Sequence, residues 1–177
     1  VAGEFVVPPI YHCVTDFSGG RGHVQIDGKV GFVDRQGDEV IARRFGDADW
    51  FHEGLAAVME WDPHLHGPAA PRYSAYAGRE SRKPMGYIDA HGRYAVEPAF
   101  IVAGSFSEGL AAVQYDIDEW GFIDRAGDIR PMGPNCPFDF REGLCRFEDG
   151  GGKTGFVDAD LGVVIPPVYR QAFDFCE

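Results

Sequence analysis

The 177-residue sequence predicts an all-β protein made of tandem repeats of about 35 residues. The first observation is a phrase that runs glycine, aromatic residue, Val or Ile, and Asp, and closes on another glycine a few residues later. Its copies begin at Gly31, Gly86, Gly121 and Gly155, so that successive copies start 55, 35 and 34 residues apart. The second is Phe-x-Glu-Gly with apolar residues after it, found at residues 51–58, 106–113 and 140–147. Two phrases in a fixed order at a near-constant period indicate a repeat protein.

Each copy of the first phrase ends in a predicted β-turn. In the first copy, Asp34 occupies the opening turn position, where a carboxylate accepts backbone N–H groups, and Gly37 occupies the fourth, where a positive φ is often required. Apolar and β-branched residues flank the turn, which predicts a hairpin. Recurring aspartates could also act as acids or metal ligands, but their place in a turn favours a structural role. The further pairs are Asp89 with Gly92, Asp124 with Gly127, and Asp158 with Gly162, the last with one extra residue between them.

The second phrase predicts a corner and a third strand. We expect proline to end three of the return strands, at Pro8-Pro9, Pro98 and Pro166-Pro167, because it cannot donate to a strand ladder. Gly54, Gly109 and Gly143 then turn the backbone, and we expect the neighbouring Glu to accept nearby backbone N–H groups. The unit is therefore about three antiparallel strands, which must stack on a neighbour to bury an apolar face. We expect an open, curved, β-solenoid-like array; a closed propeller-like or barrel-like arrangement is the alternative.

The repeats divide the chain as one domain over residues 1–177. A partial repeat covers residues 1–24, and further repeats begin near residues 25, 80, 115 and 149. Both ends of the chain stop inside a repeat, which favours an open array over a closed ring. One unit departs from the period because an inserted loop occupies residues 59–85.

The inserted loop is the stretch most expected to bind a partner, because insertions in repeat proteins map to one face and often carry function. A metal at His64 and His66 beside Asp62 was weighed, but exposed histidines without a metal are far commoner, so no metal site is predicted. An aromatic-rich loop of mixed charge is typical of a protein contact surface. The predicted partner-binding residues are Trp61, Asp62, His64, His66, Tyr73 and Tyr76.

Charge and targeting features narrow the class of partner. Twenty-eight acidic and sixteen basic side chains give a formal charge of −12, which repels nucleic acid and anionic lipid and favours a basic protein partner. Surplus acid also simply keeps proteins soluble. No apolar run reaches the roughly 18 residues of a membrane span, and no signal peptide is visible. We therefore expect no membrane insertion and a cytoplasmic location, with a periplasmic or secreted one left open because the chain begins without methionine.

Cysteine usage indicates neither a disulfide framework nor a metal site. The four cysteines include no CxxC pair, and Cys145 stands where Ala56 and Ala111 stand in sister repeats. We expect it to behave as a small buried apolar residue. No cofactor motif is present, so no cofactor is predicted.

The segment Trp120-Gly121-Phe122-Ile123-Asp124, with its downstream Gly127 and the Phe-x-Glu-Gly-Leu-Ala phrases, resembles the WG repeat, also called KWG, of bacterial proteins. The resemblance covers the chain apart from the insertion. Only Trp120 keeps the tryptophan; Val30, Met85 and Thr154 replace it elsewhere. The resemblance implies β-rich tandem repeats with mostly non-enzymatic binding roles, and it implies no catalytic residues.

The leading hypothesis is thus a non-enzymatic protein that binds another protein through an acidic β surface. A sharper version is an immunity protein that neutralises a basic toxin. One alternative is a carbohydrate-binding module or glycan-active enzyme, whose cleft would be formed by carboxylates together with aromatic side chains. Those aromatic residues would be Trp50, Trp61, Trp120, Tyr73 and Tyr76. A further alternative is a structural segment of a longer cell-envelope protein.

Overall fold

The computed structural model describes residue 7 and residues 9–66 and 83–173, except the side chains of residues 65 and 66. Tyr73, Tyr76, Cys176 and the imidazole of His66 therefore lie outside the described part, as does most of the predicted insertion. The chain forms two compact units, Val1–Pro98 and Ala99–Glu177, which are called unit 1 and unit 2.

Unit 1 is built on one seven-stranded antiparallel sheet in which each strand lies beside the next along the chain. A single helical turn, α1 (Pro63–His66), lies between the fifth and sixth strands. The strands are β1 (Cys13–Ser18), β2 (Arg21–Ile26), β3 (Lys29–Val33), β4 (Glu39–Ala48), β5 (Leu55–Glu60), β6 (Met85–Asp89) and β7 (Tyr94–Phe100).

Unit 2 contains two four-stranded antiparallel sheets, again with neighbours in chain order. The first comprises β8 (Val102–Ala103), β9 (Leu110–Asp116), β10 (Glu119–Asp124) and β11 (Ile129–Gly133). The second comprises β12 (Cys136–Arg141), β13 (Leu144–Glu148), β14 (Thr154–Asp158) and β15 (Val163–Tyr169). None of the three sheets in the described ranges closes on itself, so the predicted all-β, antiparallel fold with open sheets is confirmed.

The three sheets amount to four copies of one four-stranded meander. The long β4 belongs to two of them, because Ile41 in its first half pairs with Phe32 of β3 and Ala48 at its end pairs with Val58 of β5. Repeat 1 is thus β1–β3 with the first half of β4, and repeat 2 is the second half of β4 with β5–β7. Repeat 3 is β8–β11 and repeat 4 is β12–β15. The structure adds a fourth strand, which precedes the corner, to the three strands expected.

The extra strand exists because each Phe-x-Glu-Gly corner is a tight two-residue turn. His52 and Leu55 exchange backbone hydrogen bonds of 2.9 and 3.0 Å across the first corner, which returns the chain antiparallel to itself. Both central residues have positive φ, the conformation of a type I′ hairpin turn. The φ angles are 51° and 85° at Glu53 and Gly54, 54° and 83° at Glu108 and Gly109, and 53° and 77° at Glu142 and Gly143.

The glycine that opens each first phrase has a different role, because its missing side chain lets the backbone of the return strand pass close to its own backbone. A Cβ atom built on Gly121 would lie 2.6 Å from the carbonyl oxygen of Arg130. The same construction on Gly31 and Gly155 gives 2.5 and 2.7 Å to carbonyl oxygens of their return strands. Gly86 shows the same approach, at 2.7 Å. No side chain fits in this position, so glycine is a steric requirement of the strand pair.

Each first phrase ends in the turn that its aspartate organises. Asp34 Oδ1 accepts the backbone N–H groups of Gln36 and Asp38 at 2.9 and 3.0 Å, and Gly37 donates to the Asp34 carbonyl at 3.0 Å. The turn repeats with the same bonding pattern at Asp89, Asp124 and Asp158.

The last turn corrects the expected spacing. Its left-handed residue is Leu161, with φ 64°, and it donates to the Asp158 carbonyl at 2.9 Å as glycine does in the other copies. Gly162 instead donates to Asp158 Oδ1 at 2.8 Å, as Asp38 does to Asp34. The turn therefore has the same length as its sisters and no extra residue. Leucine tolerates the left-handed conformation because its side chain packs on the core of unit 2.

Within each unit, a pair of phenylalanines packed edge-to-face or tilted, with ring planes 69° and 51° apart, joins the two repeats. Phe32 of β3 meets Phe51 of the next corner with ring centroids 4.9 Å apart, and Phe122 meets Phe140 at 4.8 Å. All four rings are buried. A hydroxyl fixes each contact, because Ser18 Oγ donates to the Phe51 carbonyl at 2.7 Å and Ser107 Oγ to the Phe140 carbonyl at 2.7 Å.

The corner glutamate of repeat 3 adds a bond between repeats. Glu108 Oε2 accepts the backbone N–H of Gly143 at 2.9 Å, which ties one corner to the next. Glutamate therefore caps the turn of the neighbouring repeat. Among the described residues, no helix is long and apolar enough to cross a membrane.

We predict that two alanine substitutions in repeat 3 separate the two uses of glycine. Gly127→Ala places a Cβ in open space at a φ of 94°, so it should lower the free energy of unfolding by about 1–2 kcal/mol through backbone strain alone. Gly121→Ala drives a Cβ against the Arg130 carbonyl and should lower it by about 3 kcal/mol or more. Urea unfolding followed by circular dichroism measures both, and equal losses would contradict the steric role of Gly121.

Candidate functional site

The base of the inserted loop is held against repeat 1 through Trp61. The backbone N–H of Trp61 donates to the Arg44 carbonyl at 3.1 Å. Lys29 Nζ lies 4.6 Å from the centre of the Trp61 indole ring. The side chain is half-buried, and its Nε1 is buried without a hydrogen-bond partner. Trp61 is thus held in place by the protein's own backbone and by its own cation.

Asp62 and His64 follow at the start of α1. Asp62 Oδ1 accepts the His64 N–H at 2.8 Å, and Lys83 Nζ lies 3.4 Å from Asp62 Oδ2. The His64 N–H and, to a lesser extent, the Lys83 ammonium hold the pKa of the Asp62 carboxyl below its ordinary value. The His64 side chain is exposed. Within the described ranges, no three His, Cys, Asp or Glu side chains are grouped so that they could hold a metal ion.

A partly buried hydrogen bond supports the same region. The Tyr94 hydroxyl donates to Glu60 Oε1 at 2.6 Å, while the Arg44 guanidinium lies 5.7 Å from the Tyr94 ring. Burial, followed by the Glu60 carboxylate, raises the pKa of Tyr94, so the phenol stays a donor at neutral pH. These contacts make the strand ends of unit 1 a rigid support from which the insertion leaves and to which it returns.

A second surface, which the sequence reasoning missed, lies at the β9–β10 hairpin of unit 2. Its tip reads Asp116-Ile117-Asp118-Glu119, and all four residues are exposed. Ile117 is 64% exposed, which is high for a large apolar side chain placed between carboxylates. The Asp116 carboxylate accepts the Ile117 N–H at 2.7 Å, which fixes the tip conformation.

The neighbouring hairpin of repeat 4 adds acidic groups at the same end of unit 2. Glu148 closes β13 and is exposed, and Asp149 Oδ1 accepts the N–H groups of Gly151 and Lys153 at 2.9 and 2.8 Å. The corner contacts join repeats 3 and 4. β9 and β13 both begin at a corner and end at one of these hairpins, so both hairpins lie at the strand ends remote from the corners. These residues, 116–119 with 148 and 149, are called the acidic end. The signal in the sequence was an isoleucine among three carboxylates in a predicted turn.

A groove of about 260 Å³ opens beside the acidic end, between the sheets of repeats 3 and 4. Trp120, half-buried, forms one wall, and the backbone N–H of Gly104 donates to the Ala112 carbonyl at 2.8 Å within the lining. β12 forms the opposite wall. The lining residues are Val102, Gly104, Ala112, Trp120, Cys136, Pro137, Phe138 and Asp139.

The ionisable groups of the groove are one carboxyl and one thiol. Burial, followed by the Glu148 carboxylate, raises the pKa of the Cys136 thiol, so it is neutral at physiological pH. Asp139 is exposed at the rim. The groove is therefore apolar inside and acidic at its edge.

The equivalent place in unit 1 is filled by a histidine. His23 pairs with Phe32 as Ala112 pairs with Phe122, and its half-buried ring lies near Asp47 and Asp49 of the next repeat. Burial lowers the pKa of His23 more than these two carboxylates raise it. Its Nδ1 is buried and has no hydrogen-bond partner.

Comparison with known proteins identifies the repeat. A family model described as a WG containing repeat matches residues 2–29, 31–60 and 85–116, which together make up just over half of the chain. The chain belongs to the WG repeat family. Each complete WG match runs from the third strand of one meander to the second strand of the next, as residues 31–60 run from β3 to β5. The WG sequence unit therefore links two meanders.

The chain is also similar to solved structures at low identity, and the first of them shows the same kind of fold. The computationally designed Ika4 protein is 11% identical, with a TM-score of 0.50 over 88% of this chain and 98% of that one. The designed Ika8 protein is 12% identical, with a TM-score of 0.49 over 92% of this chain and 53% of Ika8. A Bacteroides caccae protein of unknown function is 14% identical, with a TM-score of 0.40 over 89% and 61%. No curated protein sequence matches the chain.

The residues at the WG tryptophan position differ in burial. Val30 and Thr154, in repeats 1 and 4, are buried at 4% and 1% exposure, whereas Met85 and Trp120 are half-buried, and Trp120 lines the groove. The residue that names the family thus contributes to a surface feature in repeat 3.

We predict that His23 makes the stability of the WG array depend on pH. Its pKa in the folded state lies below the ordinary 6.5, so the unfolded chain binds more protons and the stabilisation, complete above about pH 6.5, is lost as the pH falls. His23→Ala, which copies Ala112, should reduce the loss of unfolding free energy between about pH 8 and about pH 5. Urea titrations of both proteins at each pH test this, because the other titrating groups are common to both. An unchanged difference would show that His23 titrates alike when folded and unfolded.

Proposed function

We propose that this protein is a non-enzymatic binding protein whose acidic end contacts a second, basic protein. The observation that supports this most directly is Ile117, which is 64% exposed and flanked by Asp116 and Asp118 in a tip fixed by a hydrogen bond. An apolar side chain that enters a partner while carboxylates surround it combines the core and rim of a protein interface.

The charge of the whole chain supports a cationic partner. A formal charge of −12 steers a basic protein toward the surface and raises the association rate, and salt weakens this effect. The inserted loop remains part of the proposal as a second contact surface, with Trp61, Asp62 and His64 at its base.

A sharper form of the proposal is a bacterial immunity protein. Enzymes that act on nucleic acid or anionic polymers carry basic active sites, and a rigid acidic surface that covers such a site would neutralise them. This form requires that the captured partner be toxic when expressed alone and harmless when co-expressed with this chain.

The test is capture of binding proteins with the whole chain as bait, followed by measurement of affinity by isothermal titration calorimetry at two salt concentrations. We expect a stoichiometric basic partner whose affinity falls with added salt. The triple variant Asp116→Asn, Asp118→Asn, Glu119→Gln should bind it about tenfold more weakly at low salt, because steering charge is removed. Asparagine retains the acceptor for the Ile117 N–H and suits the positive φ of 58° at position 118.

A matched pair of isoleucines tests the apolar contact. Ile117→Ser should weaken binding, whereas Ile129→Ser, on the 39% exposed isoleucine of β11, should leave it unchanged. Equal affinity of the triple variant, Ile117→Ser and the natural sequence would refute the acidic end as the binding surface. Recovery of a glycan or of no basic protein would favour the carbohydrate-binding or envelope alternatives.

A further inference from the structure

We propose that the groove beside Trp120 takes up one apolar side chain of the basic partner, from a segment in which lysine or arginine flanks that residue. This inference rests on the proposed function and specifies what the partner presents to unit 2. It follows from the polar groups around the groove, from the rigidity and size of its walls, and from the charges next to those walls.

The polar groups that line the groove already interact within the chain. The Gly104 N–H donates to the Ala112 carbonyl at 2.8 Å, and the Asp139 side chain at the rim has an interaction of its own. The Cys136 thiol is neutral, because burial raises its pKa. A charged ligand or a sugar needs polar partners inside its site, whereas an apolar side chain gains by leaving water for such a surface.

The two aromatic walls are held rigidly. The Arg146 guanidinium lies 3.9 Å from the centre of the Phe138 ring and donates to the Ala172 carbonyl at 3.2 Å, so the chain's own cation covers that ring. Trp120 stands on β10, which pairs with β9 on one side and with β11 on the other. A preformed wall binds with a smaller loss of conformational freedom, and tryptophan is enriched among the residues that dominate protein interfaces.

The size of the groove fits one side chain. Its volume of about 260 Å³ is smaller than the pockets of roughly 300–1,000 Å³ that enclose drug-sized ligands. Val102 and Pro137 complete the apolar lining. A leucine or phenylalanine side chain that enters the groove is therefore the anchor of a larger contact, which the acidic end extends.

Each wall of the groove adjoins a carboxylate of the acidic end. Glu119 precedes Trp120 in β10, and Glu148 of β13 pairs with Cys136 of β12. The Tyr115 hydroxyl donates to Glu119 Oε2 at 3.3 Å and so orients that carboxylate. Cations on either side of the bound side chain would meet this negative charge outside the groove. The segment that fits best is thus an apolar residue between lysines or arginines.

Unit 1 fills the corresponding place with a side chain of its own. His23 pairs with Phe32 as Ala112 pairs with Phe122, and the His23 ring lies edge-on to Phe32 at 6.3 Å between centroids. In unit 2 the smaller alanine lines the groove. A side chain supplied by the partner would there take the place that His23 takes in unit 1.

The experiment uses the whole chain, labelled with nitrogen-15, and the peptide N-acetyl-Lys-Lys-Leu-Lys-Lys-amide. The three tryptophans give three indole N–H signals, and the spectrum of Trp120→Phe assigns the one from Trp120. This peptide should shift the Trp120 signal in a saturable way. The same peptide with serine in place of leucine should bind about tenfold more weakly, because the buried apolar surface is lost.

A third peptide tests the flanking charges. N-acetyl-Ser-Ser-Leu-Ser-Ser-amide keeps the anchor and lacks the cations, so it should also bind more weakly than the lysine peptide with leucine, and added salt should reduce that difference. Equal binding of the leucine and serine forms of the lysine peptide, or a Trp120 signal that neither of them shifts, overturns the apolar subsite. Equal binding with and without lysine refutes the basic flanks.

Two variants locate the site. Trp120→Ala removes one wall and should weaken binding of the lysine peptide with leucine about tenfold. Ala112→His, which copies His23, should fill the groove and prevent the shift of the Trp120 signal. A dispersed spectrum with the Trp50 and Trp61 signals unmoved verifies that each variant folds. Unchanged affinity in both folded variants would place the peptide elsewhere and refute the subsite.

The same variants separate this inference from the proposed function. If a basic partner is captured and both variants bind it as tightly as the natural chain, the subsite is refuted while the acidic end stands. If the peptide binds as expected and no basic partner is captured, the subsite stands and the proposed function fails.

Discussion

The contact on which the structure depends is the packing of a strand phenylalanine, edge-to-face or tilted, against the corner phenylalanine of the following repeat. Phe32 meets Phe51 and Phe122 meets Phe140, and in each case a serine hydroxyl holds the backbone of the second residue. A single four-stranded meander would leave one face of such rings in water, so no repeat of this size buries its own core. Because the WG sequence unit runs from the third strand of one meander to the second strand of the next, each unit of sequence connects two meanders covalently. The chain thereby keeps the packed phenylalanines close in sequence and keeps the loop to be closed short.

Glycine supports this packing of repeat on repeat in two distinct ways. At the corners it takes the second position of a left-handed turn, and at the opening of each WG phrase it lets the return strand pass within van der Waals distance of the backbone. The two uses explain why glycines recur at fixed places without forming a flexible segment. The glutamate beside each corner glycine also adopts a positive φ. For glutamate this conformation costs about 1–2 kcal/mol. At Glu108 a hydrogen bond to the Gly143 N–H offsets part of this strain.

Features set by local chemistry could be predicted from the sequence, and features set by neighbours could not. The turn at Asp34 follows from a carboxylate and a glycine at the right spacing, and its bonds are those that such a turn requires. The strand before each corner was missed because its residues share no phrase: Asp47 and Cys136 hold the same place. Leu161 was misjudged because glycine was assumed to mark the left-handed residue, whereas packing on the core lets leucine hold it. Trp61 is half-buried because a long cation, Lys29 of the neighbouring hairpin, reaches its ring, and its contact with a partner stays a prediction.

The residues that differ between the two units lie away from the corner contacts. The serine, phenylalanine and glycine contacts recur at the corners of both units, and a change there would separate one repeat from the next. At the opposite end, the units differ at corresponding positions: His23 against Ala112, Lys29 against Glu119, and Trp61 against Gly150. Those positions lie at hairpins and groove walls, where a substitution alters charge and shape without removing a buried phenylalanine. An array of this kind can therefore vary the charge and shape of one end of a unit while the corner contacts maintain the fold.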